Sequence, residues 1–292
     1  EGAVCEHSVQ PAKGDLVEIS GSINTWWGKV EDVDGPLTTD KIAVSPLSDA
    51  RGRIKLVTRC VLFRDTARGR TWLIDTGMGD GWDEKSQRIY GITKVSGGLP
   101  TSLKTAGIAP ADVTDVVLTH LHFDHCAGTV THDGDTVRLA FPKARIHIQK
   151  KQLEWALKPS LKDRASYRQD DLSCIAASTQ LVLHDGAAQL SPGVSVTPCN
   201  GHTAGMQTVT LHSAGTDYVF AADLIPIFSH IRIPWVMAYD NYPVTTMEEK
   251  RAFLDRAAAL GQVIISAHDP VTEAGRVKRI EANRYELMPV EL

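Results

Sequence analysis

The sequence predicts an α/β fold whose strand ends carry polar, metal-competent side chains. The apolar, β-branched run Val116-Val117-Leu118 leads straight into His120-Leu121-His122-Phe123-Asp124-His125. Further strand-like runs, Trp72-Leu73-Ile74, Tyr218 to Ala222 and Val263 to Ala267, close on Asp75, Asp223 and His268. Helical signals lie between such runs, at Pro100 to Ala106, at Lys150 to Leu157 and beyond Thr246.

The first of these runs organises the chain. Imidazole and carboxylate suit Zn²⁺, Fe²⁺ or Mn²⁺. His120 and His122, two apart in an extended segment, point to the same side. Asp124 and His125 follow where the loop turns and can face a second ion. A loop just past a buried strand is held still by the sheet. With 11 His among 292 residues, a chance cluster of this density is the weaker reading.

Taken in order, Glu1 to Gly14 reads as an arm and Asp15 to Ser20 as a first strand. Trp26-Trp27 follow, either as local packing or as an apolar wall or subunit contact. Ile54 to Phe63 and Thr71 to Ile74 read as paired strands around the turn Thr66 to Gly69. Met78, Trp82 and Tyr90 are placed at a pocket mouth, with Asp75 orienting a ligand histidine. Ala144 to Ile148 reads as a half-exposed strand with His147 on the surface. Lys150 to Leu157 reads as a helix with Leu153 and Leu157 on one face, and Pro159 to Ser178 as an irregular lid or solvated loop. Leu181 to Leu183, Val194 to Thr197, Gln207 to Leu211 and Tyr218 to Ala222 form a second sheet half. The aromatic segment Asp223 to Tyr242, broken by Pro226 and Pro234, cannot be a long helix and is expected to cross the site. In it His230, Tyr239 and Tyr242 are either packing residues or donors to a leaving group or oxyanion. Thr246-x-x-Glu249 reads as a capping box for a helix that buries Met247, Leu254, Ala257 and Ala258 and ends at Gly261.

Composition sets the bounds. At 42% hydrophobic, the chain can bury a substantial core, and residues 1–292 read as a single domain with an N-terminal extension to about residue 50. A net charge of −4 and a pI near 6.3 argue against a nucleic-acid partner. No apolar run approaches the ~20 residues that span a bilayer, so no membrane partner is expected. The cysteines, odd in number at five and without Cys-x-x-Cys spacing, give no disulfide framework. With no signal pattern in Glu1 to Gln10 the expected location is cytoplasmic, although a chain that does not begin with Met is compatible with a trimmed leader.

The His-x-His-x-Asp-His run resembles the signature of the metallo-β-lactamase superfamily. Gly201-His202 resembles that family's third-histidine motif, Asp223 its bridging aspartate, His268 its last ligand and Asp75-Thr76-Gly77 its early turn. The resemblance covers roughly residues 55 to 270. It implies an αββα sandwich, two mixed sheets flanked by helices, holding two divalent ions, zinc foremost with iron, manganese or cobalt as alternatives. It assigns His120, His122 and His202 to one ion and Asp124, His125 and His268 to the other, with Asp223 between. A hydroxide shared by the ions would attack the substrate, and Asp124 would shuttle its proton.

Departures narrow the choice. The best-known lactam-hydrolysing classes commonly carry Cys at the Asp223 position. Glyoxalase II-like thioesterases share all seven ligands but have a longer helical C-terminal part. The resemblance is closest to the acyl-homoserine lactonase and methyl-parathion-hydrolase branch. There a catalytic Tyr stands three residues after the bridging Asp; here that residue is Pro226, and Tyr239 or His230 would have to substitute. The expected function is hydrolysis of a small ester-like molecule, a lactone first, with organophosphate triesters also possible. A homodimer is expected by analogy. The alternatives are an iron dioxygenase of the persulfide type, the thioesterase, and a metal-bearing binding protein.

Overall fold

Neighbouring side chains part company along the central strands, and both sets are buried. Trp72 and Ile74 join one apolar cluster while Leu73 joins another, and Val117 and Val116 divide in the same way. Period-two burial on both faces places a strand between two layers. The computed structural model of the protein describes residues 21–23, 55–94 and 98–292. The arm, the first strand and the Trp26-Trp27 loop lie outside the described residues.

The strands in chain order are β1 (Gly21–Ile23), β2 (Val61–Asp65), β3 (Arg70–Ile74), β4 (Ile92–Lys94), β5 (Asp115–Val117), β6 (Val130–Asp133), β7 (Thr136–Leu139), β8 (Arg145–Gln149) and β9 (Leu181–His184). They continue with β10 (Ala188–Ser191), β11 (Val194–Cys199), β12 (Met206–Ser213), β13 (Thr216–Phe220), β14 (Val263–Ile265), β15 (Ala274–Glu281) and β16 (Arg284–Val290). The α-helices are α1 (Glu84–Tyr90), α2 (Gly98–Thr105), α3 (Phe123–Cys126), α4 (Lys150–Leu157), α5 (Gln169–Ala176) and α6 (Pro243–Leu260).

A five-stranded sheet runs β2-β3-β5-β8-β9, and a seven-stranded sheet runs β10 through β16 in sequence order. Both are mixed: β2 is antiparallel in the first, and the β13–β14 pair is parallel in the second. Val61, Phe63, Trp72, Ile74 and Val117 meet Val196, Val209, Leu211 and Val219 between the sheets. On the outer face of the first sheet, Leu62, Leu73, Val116 and Ile146 pack with Leu99 and Leu103 of α2, Leu153 and Ala156 of α4, and Leu172 and Ile175 of α5. Phe253, Leu254 and Ala257 of α6 join the seven-stranded side. This is the αββα sandwich. Truncating a side chain as large and as buried as Trp72 costs about 3–5 kcal/mol.

Several local readings change. β9 pairs in parallel with β8, so Leu181 to Leu183 belong to the first sheet. His147 is buried, because β8 is an inner strand covered on both faces. Its Nε2–H donates to Asp115 at 2.9 Å, and its ring stacks on His184 at 5.3 Å. Burial alone would raise the pKa of Asp115, but hydrogen bonds from His147, Arg70 and Thr114 lower it on balance. Leu157 is exposed, and Gln152 takes the buried place beside Leu153. The stretch 159–178 is ordered around α5 and the buried Tyr167 rather than forming an irregular lid. α6 begins at Pro243 without a side-chain cap; the Thr246 hydroxyl returns to the Tyr242 carbonyl, and Glu249 reaches outward instead of boxing the helix. The hairpin β15–β16 completes the larger sheet. Among the described residues no helix is long and apolar enough to cross a membrane, and Cys60, Cys126, Cys174 and Cys199 are free thiols.

Candidate metal centre

β3 and β5 are parallel neighbours, so the residues after their C-terminal ends emerge side by side. Asp75 takes φ +56°, a left-handed conformation uncommon outside glycine. Its carboxylate accepts the Thr119 N–H at 2.7 Å, the Thr119 hydroxyl at 2.8 Å and the His125 Nδ1–H at 2.8 Å. Three donors on one buried carboxylate hold the strained turn and lock the His125 ring. After His122 the chain makes the single turn α3, and the Thr76 N–H donates to the His125 carbonyl at 2.7 Å. Gly128 lets the turns cross: a Cβ there would lie 2.1 Å from the Thr76 carbonyl oxygen.

The remaining candidates come from the other sheet. His202 follows β11, and its Nδ1–H donates to Asp240 at 2.9 Å. Asp223 follows β13, directly after Ala222 at φ +48°, a second strained residue beside the site. His268 follows β14, and its Nδ1–H donates to the Val57 carbonyl at 2.7 Å.

The side chains converge. His122 Nδ1 lies 3.1 Å from His120 Nε2 and 3.0 Å from His202 Nε2. His125 Nε2 lies 3.1 Å from His268 Nε2, and Asp124 Oδ2 is 3.7 Å from each. Asp223 stands between the two sets. Its Oδ2 is 3.2 Å from His202 Nε2 and 3.9 Å from His120 Nε2, and its Oδ1 is 2.9 Å from His268 Nε2 and 3.4 Å from His125 Nε2. Three groupings with ligand geometry follow: His120-His122-His202, His120-His125-Asp223 and Asp124-His125-His268. Six of these seven residues are buried, and Asp124 is partly exposed.

Proton accounting tests whether these residues suit cations. Because the Nδ1–H groups of His125, His202 and His268 are given outward, to Asp75, Asp240 and Val57, each inward Nε2 of the neutral ring carries a lone pair. The His125 and His268 Nε2 lone pairs face each other at 3.1 Å, and that of His202 faces Asp223 Oδ2 at 3.2 Å; both contacts repel unless a positive charge lies among them. The donor set of imidazoles and carboxylates is that of zinc, iron or manganese. The residues fit divalent metal ions.

The electrostatics agree. Burial drives the pKa values of His120 and His122 well down, and neighbouring imidazoles add to it. Burial acts the same way on His125 and His268, but carboxylates outweigh it, Asp124 and Asp223 around the former and Asp223 beside the latter, and raise both. Burial would raise Asp223, yet His268, His125 and His202 hold it well below the usual carboxylate range. The pocket draws positive charge.

Tyr239 presents its ring edge-on to His202, with centroids 5.7 Å apart. Burial, then Asp223, Asp124 and Asp240, push its phenol well up, so it stays protonated. His230 is partly buried with an unpartnered Nδ1; burial and Lys250 lower its pKa to about 4, so it is neutral near pH 7. Tyr242 turns outward against Trp155 and touches the site only through its backbone. Trp82, Tyr90 and Phe123 form a cluster with centroids 4.8–5.6 Å apart beside Asp124, and Trp82 Nε1–H donates to the Met78 carbonyl. Sequence reasoning missed Thr119, Asp240 and Val57. A carboxylate 38 residues from its histidine and a backbone carbonyl 211 residues away leave no local signal.

Comparison with known proteins gives a consistent picture. A family model described as the metallo-beta-lactamase superfamily matches residues 54–268. A probable metallo-hydrolase of Mycobacterium tuberculosis is 26% identical over 193 residues, 58% of each chain. An N-acyl homoserine lactonase of Bacillus cereus is 26% identical over 189 residues, 61% of this chain and 68% of that one. The chain thus spans somewhat under two thirds of the mycobacterial relative. A solved structure of a probable metal-dependent hydrolase from Staphylococcus aureus superposes with a TM-score of 0.79 at 24% identity, covering 94% of this chain and 96% of that one. A dizinc quorum-quenching lactonase in complex with a product superposes at 0.74 with 23% identity, covering 94% and 93%.

Proposed function

This chain belongs to the metallo-β-lactamase superfamily, and on that premise we propose that it is a metal-dependent hydrolase of a small ester-like molecule, a lactone first and a phosphotriester second. The observation that carries the reading is the placement of Asp223, one oxygen toward each histidine set. His120, His122 and His202 would hold one divalent ion and Asp124, His125 and His268 the other, with Asp223 shared. Such ions supply Lewis acidity and a water of lowered pKa.

The protein's own groups do the rest. Asp75, Asp240 and the Val57 carbonyl fix the tautomers that keep lone pairs pointing inward. Asp124, the one partly exposed member of the set, takes the proton of the attacking water and returns it to the leaving oxygen. Tyr239, protonated and beside Asp223, donates a hydrogen bond to the substrate oxygen that gains charge. It replaces the tyrosine whose place Pro226 occupies. His230 is neutral near pH 7 and is the poorer donor. Trp82, Tyr90 and Phe123 give the cleft an apolar wall, suited to a substrate with an apolar arm. The lactonase relatives support a lactone as substrate.

The test is a hydrolysis screen of the metal-loaded protein over lactones, phosphotriesters, β-lactams and glutathione thioesters. Base consumption with a lactone is expected. Oxygen uptake by a protein holding one iron per chain, with no hydrolysis, would overturn the reading in favour of the dioxygenase.

A further inference from the structure

We propose that Glu249 is a positioning residue for His202, so that the ion at His120, His122 and His202 depends on it while the ion at Asp124, His125 and His268 does not. The inference rests on the two-ion reading above.

Glu249 lies in the interior of α6, past the turn whose N–H groups a helical carboxylate could serve. Its carboxylate leaves the helix and accepts the Asn200 N–H at 2.7 Å and the Gly201 N–H at 2.9 Å. These are the two peptide groups immediately before His202. No gap separates turn from helix: a Cβ on Gly201 would fall 2.4 Å from the Thr246 backbone nitrogen. On the opposite edge the Tyr242 N–H donates to the Gly201 carbonyl at 2.8 Å and the Asn241 N–H to the His202 carbonyl at 3.0 Å. The backbone of His202 is therefore gripped from both sides by α6 and the segment leading into it.

The next residue does the matching task for the partner of the imidazole. Lys250, fully buried, donates to the carbonyls of Arg232 and Trp235, in the loop that runs on to Tyr239 and Asp240. Glu249 thus fixes the main chain of His202, and Lys250 steadies the stretch carrying its carboxylate. The other ion's histidines draw on Asp75 and the Val57 carbonyl, neither of which lies on α6. Support for the two sites is separable.

The experiment titrates the metal-free protein with Zn²⁺ against a chromophoric chelator, for wild type, Glu249→Ala and Glu249→Gln, with thermal unfolding of the metal-free forms in parallel. Wild type should bind two ions. Glu249→Ala should weaken one of them roughly 10–100-fold, as loss of a ligand's supporting partner does, and leave the other within about twofold. Glu249→Gln, whose amide oxygen still accepts an N–H, should fall between and serves if the alanine variant does not fold. In a His268→Ala background Glu249→Ala should still weaken the remaining ion; in a His122→Ala background it should change nothing. Fewer than two ions on wild type would sink the two-ion reading. Two ions on wild type, with both constants unchanged or both weakened equally by Glu249→Ala, would overturn the role of Glu249 alone.

Discussion

The two halves of the metal centre are built to different rules. One half comes from the loop after β5: His120, His122, Asp124 and His125 lie within six residues, and Asp75, at the end of the adjacent strand, holds the loop directly at Thr119 and His125. The other half gathers His202, Asp223 and His268 from three separated strand ends of the larger sheet. Its supports are scattered, at Val57, Asp240 and Glu249. A compact half needs one carboxylate to be set; a dispersed half needs the fold to be finished first. Damage to the first half should therefore be felt at the motif, and damage to the second should depend on which long-range contact is cut.

The comparison can be broken most severely where the halves meet. Asp223→Ala should empty both positions and reduce hydrolysis to background, read as metal content together with turnover; retention of one ion at full affinity would mean that Asp223 is not shared. Asp75→Ala strikes the compact half. It leaves the buried Thr119 and His125 N–H groups unpaired, and should cost about 3 kcal/mol in denaturant unfolding of the metal-free protein. Tyr239→Phe separates chemistry from metal binding, with turnover down roughly a hundredfold and metal content unchanged. Unaltered turnover would reduce Tyr239 to packing. Asp240→Asn keeps an acceptor near His202 but loosens the tautomer, and should weaken one ion roughly tenfold.

The smallest effect tests the segment 223–242 through pH. The unfolded chain protonates His230 near pH 6.5, whereas burial, with Lys250, holds the folded value at about 4. Between these values the unfolded state binds the proton and the folded state does not, so stability falls as the pH drops through that window. Allowing for the partial exposure of His230, the loss is about 1 kcal/mol. His230→Gln should flatten that part of the stability curve, and an unchanged slope would place His230 in water.

The same contrast explains what the sequence made legible. The motif at His120–His125, the turn at Asp75 and the strand ends at Asp223 and His268 could be read because a period-two apolar run marks a strand and a polar residue marks its end. The supports could not. Glu249 looked like a helix cap because a Thr-x-x-Glu spacing is all a local rule can see, while its hydrogen bonds go to Asn200 and Gly201. His147 looked exposed because alternation assumes one wet face, and an inner parallel strand has none. The sheet that Leu181 to Leu183 join is not legible locally, because pairing partners are a property of topology.

Anomalous diffraction at the zinc edge, from crystals of the zinc-loaded protein, tests the central claim most directly. Two peaks about 3.5–4 Å apart are expected, one ringed by His120, His122 and His202, the other by Asp124, His125 and His268, with Asp223 touching both. A single peak, or peaks remote from these side chains, would contradict the dinuclear centre and the hydrolytic chemistry drawn from it.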